Sequence, residues 1–190
     1  GSGRQAPGQA ALPQQSAPGG GTWGQLNLPA GVAAVPLQRA ALGAHSEVAA
    51  LQHPVVLQAV DQTVHLSNGL VRAAFGPTGL EQLWGADGLA QLAEPAAWCR
   101  WRDHGEFWDA WDLAADYRQH PLPLQWQSGP DVAEQGPLCT RLVWRGRCGS
   151  SRLRLDVQLR AASPWLELTL QVDWCQRHEL LRLELPLAQA

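Results

Sequence analysis

In residues 152–160 every second position is apolar: Leu153, Leu155, Val157 and Leu159 alternate with arginine, aspartate and glutamine. After Ala161-Ala162-Ser163-Pro164 the pattern resumes at Leu166, Leu168, Leu170, Val172 and Trp174. Successive side chains of a strand point to opposite faces, so a period of two specifies a sheet with one buried and one wetted side. The two runs are expected to be antiparallel neighbours joined by that turn.

Other segments carry the same signal. Residues 64–75 read as two strand pieces around Asn68-Gly69, and Gly76-Pro77-Thr78-Gly79 reads as the turn before a strand over 80–84. Residues 141–145 supply another strand, and a further one is expected over 180–187, after the polar turn Gln176-Arg177-His178-Glu179. With no long helical pattern, the fold class is all-β: a large antiparallel sandwich whose sheet is expected to be completed by residues beyond Ala190.

The chain divides into three parts. Residues 1–21 comprise Gly1-Ser2-Gly3, which resembles a cloning remnant, and a Gly/Pro/Gln/Ala-rich stretch with too little to bury, expected to be a mobile linker. Residues 22–60 carry edge strands and a connection, with a short proline-bounded strand at 32–37 and irregular chain over 39–53. Residues 61–190 form the sandwich, and 45% hydrophobic content is enough for its core.

Net charge is −3 and all 14 basic residues are arginine, so no overall field favours nucleic acid or an anionic membrane as a partner. Arg141, Arg145, Arg147, Arg152, Arg154 and Arg160 alternate with apolar residues and read as the solvated face of the sheet. Cys99, Cys139, Cys148 and Cys175 form no C-x-x-C pair and are expected to be reduced thiols of a cytoplasmic protein. No apolar run approaches the roughly 20 residues that cross a bilayer. Cys175 and His178 have half of a metal-ligand spacing and no second pair, so no metal site is assigned.

The chemically richest stretch is 106–117, with Trp108, Trp111 and Tyr117 among the carboxylates Glu106, Asp109, Asp112 and Asp116. An indole can cover the C–H face of a pyranose while a carboxylate accepts from its hydroxyls. The candidate sugar-contacting residues are therefore Trp108, Asp109, Trp111, Asp112 and Tyr117. Two structural alternatives stand beside that reading: loop aromatics commonly plug a core, and paired aspartates commonly cap their own turn. Asp109 and Asp112 share a face only if the segment curls, and spacing alone gives them no catalytic role.

Phe107-Trp108-Asp109-Ala110-Trp111-Asp112, followed by Tyr117 and Leu122-Pro123-Leu124, resembles the "YWDAWD" loop of the C-terminal β region of glycoside hydrolase family 38 α-mannosidases. Leu66-Ser67-Asn68-Gly69-Leu70-Val71-Arg72 resembles that family's "LEN-LLRV" strand. Val172-Asp173-Trp174-Cys175-Gln176-Arg177-His178-Glu179-Leu180-Leu181-Arg182-Leu183 resembles "VDWHERHKLLKV", with Cys175 and Glu179 departing from the usual histidine and lysine. The resemblance, closest to the cytosolic, vacuolar and bacterial branch, implies a supersandwich like the galactose-mutarotase fold. It also implies a zinc-dependent parent enzyme cleaving terminal α-mannosyl linkages. Catalytic and zinc-binding motifs of that family are not found here, so no catalytic residue and no cofactor is expected in this chain. Its expected partners are the catalytic and helical domains of the same parent, mannosides, and other copies of the parent.

Two other functions fit an all-β chain. As an independent carbohydrate-binding module, Trp111 and Asp112 would supply about 3–5 kcal/mol gross, which association costs reduce to millimolar affinity. As an epimerase, the chain would need a histidine and a carboxylate in one cleft, and His65, His104 and His178 are the available histidines.

Overall fold

A computed structural model describes residues 14–17, 20–24, 51–105 and 112–188. In chain order the strands are β1 (Gln14–Ser16), β2 (Thr22–Gly24), β3 (Val56–Val60), β4 (Thr63–Ser67), β5 (Arg72–Gly76), β6 (Gly79–Trp84) and β7 (Ala97–Arg102). A 3-10 turn, Tyr117–Gln119, precedes β8 (Pro121–Leu122), β9 (Gln125–Glu134), β10 (Cys139–Cys148), β11 (Ser151–Arg160), β12 (Leu166–Asp173) and β13 (Glu179–Glu184). Among the described residues every strand pairing is antiparallel.

Two four-stranded sheets, β3-β4-β5-β6 and β12-β11-β10-β9, form the sandwich. Leu66, Ala73, Phe75 and Leu80 from the first meet Leu142, Trp144, Leu155, Val157 and Leu159 from the second in one buried cluster. Trp144 lies at its centre: its ring is 5.7 Å from that of Phe75, and its Nε1 donates to the Gly76 carbonyl at 3.0 Å. The period-2 pattern has its expected consequence, since Leu153, Leu155, Val157 and Leu159 are all buried and β11 pairs with β12 from Arg152↔Asp173 to Leu159↔Leu166. Arg141 and Arg154 reach Asp156, Arg145 reaches Asp131, and Arg160 reaches Glu167, as a solvated face requires.

The sequence expectations are corrected in three places that bear on the chain's ties, and β9 is a further strand that the sequence pattern does not announce. Gln14–Ser16 fall within the stretch expected to be a linker, yet they pair with β2. A polar contact accounts for it: Gln15 Nε2 donates to the Cys139 carbonyl at 2.7 Å, while its Oε1 accepts from the N–H groups of Leu138 and Cys139 at 2.8 and 2.9 Å. Trp23 Nε1 adds a 2.6 Å bond to Glu134. Second, Glu179 belongs to β13 rather than to the turn before it. Its carboxylate is clamped by Arg100, whose Nε and Nη2 donate at 2.6 and 2.8 Å while Nη1 donates to the Pro123 carbonyl at 2.9 Å. Third, Ala97–Arg102 form a strand that periodicity does not announce, and it pairs with β13 and β8 in a separate three-stranded sheet. The strand expected at 32–37 and most of the irregular stretch 39–53 lie outside the described residues.

Candidate functional site

The three-stranded sheet has two unlike faces. Trp98 opposes Leu183, and both pack against the sandwich core. Cys99 opposes Arg182, and Trp101 opposes Leu180. Alternation therefore projects Cys99, Trp101 and Arg182 from the other face.

Residues 112–120 arch across that outer face. Tyr117 meets Trp101 edge-on, with ring centroids 5.5 Å apart and planes at 89°, and Trp101 is left only 8% exposed. The Arg182 guanidinium lies 5.9 Å from the Trp101 ring and 5.7 Å from that of Tyr117, and its Nη1 donates to the Tyr117 hydroxyl. Arg118 Nε donates to the same hydroxyl at 3.0 Å. An edge-on aromatic pair with a cation over its rings is a favourable electrostatic arrangement.

Backbone ties fasten the arch at both ends. Ala114 N–H donates to Asp103 Oδ1 at 3.1 Å, Asp103 N–H to the His178 carbonyl at 2.8 Å, and Arg102 N–H to the His120 carbonyl at 2.9 Å. Asp112 is exposed and spends Oδ1 on its neighbour Leu113 N–H at 2.8 Å, the local capping behaviour of a turn aspartate. Asp116 and His120 form an exposed pair at 3.2 Å, which contributes little. Cys99 pairs with Arg182 within the sheet, where burial first and then Glu184 push its thiol above the ordinary range, opposed by Arg182.

Of the five sequence candidates, Trp108, Asp109 and Trp111 lie outside the described residues. Asp112 and Tyr117 occupy one arch without bonding to each other. Sequence reasoning missed Trp101, Asp103 and Arg182, which hold the arch. A signal existed in the run Ala97-Trp98-Cys99-Arg100-Trp101-Arg102, whose tryptophans fall on opposite faces of a strand. His104 and His178 stack at 6.2 Å, while His65 lies on β4 in a different sheet. Among the described residues, no three histidine, cysteine, aspartate or glutamate side chains converge as metal ligands.

Comparison with known proteins settles the family. Residues 66–190 match the family described as "Glycosyl hydrolases family 38 C-terminal domain". This chain belongs to that family. Proteins named "Alpha-mannosidase 2C1" from Mus musculus and Homo sapiens are each 30% identical to it over 143 residues, 71% of this chain and 14% of theirs. The chain thus spans about 14% of the length of these relatives. The family 38 match covers β5 through β13 and the whole arch, so the outer face of the small sheet belongs to the family's domain.

Proposed function

We propose that this chain is the non-catalytic β-sandwich part of an α-mannosidase that hydrolyses terminal α-mannosyl linkages. It packs on the catalytic domain and turns the arch of residues 112–117 toward the sugar site. The carrying observation is the Tyr117 brace: Trp101 and Arg182 pin the end of the segment to a rigid sheet, which is how a fold presents polar contacts at fixed positions. Zinc belongs to the catalytic domain of the parent, and the parent acts in the cytoplasm.

Hydrolysis of an aryl α-mannoside by the full parent polypeptide, alongside its Asp112→Asn variant, tests the reading. The expected result is turnover by the parent and a loss of about a hundredfold in the variant, about 2.7 kcal/mol of transition-state stabilisation. Equal activity in both would remove the arch from the sugar site. An inactive parent would overturn the mannosidase reading.

A further inference from the structure

On the outer face of the larger sheet two arginine pairs stand across from one another. In the β10–β11 register Arg145 opposes Arg154, and Arg147 opposes Arg152. Directly opposed side chains have Cβ atoms about 5 Å apart, where like charges destabilise a sheet. Asp131 answers Arg145 at 3.0 Å and Asp156 answers Arg154 at 2.6 Å. Arg147 and Arg152 are exposed, and neither has an ion-pair or hydrogen-bond partner among the described residues. Asp173 opposes Arg152 in the β11–β12 register without forming an ion pair with it.

An open cavity of about 630 Å³ lies over these pairs, lined by Arg145, Arg147, Arg152 and Arg154 with Gln127, Gln171 and the carboxylate of Asp173 among others. A second depression shares Gln127 and Arg147 and continues toward Gln125. Solvation of a sheet face explains arginines that alternate with leucines. It does not explain why two of them face each other unpaired at the floor of a concavity.

We infer that this cavity binds an oxyanion of the phosphate class. Arg147 and Arg152 outnumber the one lining carboxylate, Asp173, and have no hydrogen-bond partner among the described residues, so each planar fork is free to present parallel N–H groups to a pair of oxygens. The amides of Gln127 and Gln171 supply donors for the remaining lone pairs. A carboxylate such as acetate has only two oxygens and can fill one fork but not both. The site is separate from the Tyr117 arch and does not depend on the mannosidase reading.

Titration calorimetry on the 190-residue chain tests it. Inorganic phosphate and phenyl phosphate are the probes, with acetate as the monoanionic control at constant ionic strength. The expected result is saturable one-to-one binding of at least one phosphate, weakened tenfold or more in the Arg147→Gln/Arg152→Gln double variant. That variant should keep or raise its thermal midpoint, because the repelling pair is gone. Preference for inorganic phosphate assigns the site to the free ion, and preference for phenyl phosphate assigns it to a phosphomonoester. Binding of both phosphates weaker than about 10 mM, equal binding of acetate, or undiminished binding by the double variant overturns the inference. Should the double variant fail to fold, Arg152→Gln alone is read by the same criteria.

Discussion

Asn68 ties the β4–β5 turn to the end of β11: its Nδ2 donates to the carbonyls of Arg160 and Ser163 at 2.8 and 2.7 Å. Its Oδ1 accepts from the N–H groups of Leu70 and Val71 at 3.0 and 3.1 Å, so the 3% exposed amide is fully used. Gly69 follows with φ +80, which a side chain rarely adopts. Asn68→Asp keeps the shape but replaces two donors with a carboxylate aimed at two carbonyl oxygens. Buried unsatisfied groups cost about 1–3 kcal/mol each. The expected loss is about 3 kcal/mol, a thermal midpoint lower by roughly 6–12 °C for a domain of this size. An unchanged midpoint would show that the amide is not needed there.

Arg100 and Glu179 make the corresponding tie in the small sheet, with side chains only 7% and 11% exposed. Removing one partner of a buried pair leaves a bare charge, which costs about 3–5 kcal/mol, whereas replacing both with apolar groups is often nearly neutral. Glu179→Leu and Arg100→Met should therefore each destabilise strongly, and the double variant should recover most of the loss. Urea midpoints of the wild type, the two single variants and the double variant measure the coupling. Additive single effects would mean that the pair is solvated in solution.

These two ties show where sequence reading stops. The strands β11 and β12 were legible because one face is apolar and the other polar, and the Asn68-Gly69 and Pro77-Thr78 turns were legible from their chemistry. Strand β7 was not, because its buried Arg100 is compensated by a carboxylate 79 residues away, and a local window sees only a charged position. Strand β1 was hidden for a related reason: Gln15 docks through hydrogen bonds to Leu138 and Cys139, and apolar counting assigns such contacts no weight. At the candidate site the aromatic cluster was visible, but its brace was not. Tyr117 acquires its role from Arg182, 65 residues downstream, and from Trp101 on the paired strand.

Acid should act through Asp156. Arg154, by its hydrogen bond first, holds this carboxyl below the usual carboxylate range, with Arg141 and Arg145 adding to the effect and burial opposing it. In the unfolded chain an aspartate takes its proton near pH 3.9, while the folded group does so only at lower pH. Between those values the unfolded state binds more protons, so this contribution is present above about pH 4 and is lost as pH falls through the folded value. Asp156→Asn should lower the urea midpoint at pH 6 and flatten its decline below pH 4. Parallel declines in the two proteins would place the acid sensitivity elsewhere.

Gly129 is the position where a single methyl group should do most damage. Its φ is +118, a conformation that disfavours any side chain, and an added Cβ would lie 2.9 Å from Trp144 Cα as well as against the indole. That indole cannot step aside cheaply: it is fully buried, donates to the Gly76 carbonyl at 3.0 Å and packs on Phe75 at 5.7 Å. Backbone strain of about 1–3 kcal/mol and overpacking of about 1–3 kcal/mol act together here. Gly129→Ala is expected to cost about 3 kcal/mol or more and to red-shift tryptophan emission as Trp144 is displaced toward water. Gly88→Ala is the control: its φ is +77, yet nothing lies within 4 Å of the added carbon, so it carries backbone strain without the clash. A Gly129→Ala loss no greater than that of Gly88→Ala would mean that β9 shifts away from Trp144 and relieves the contact.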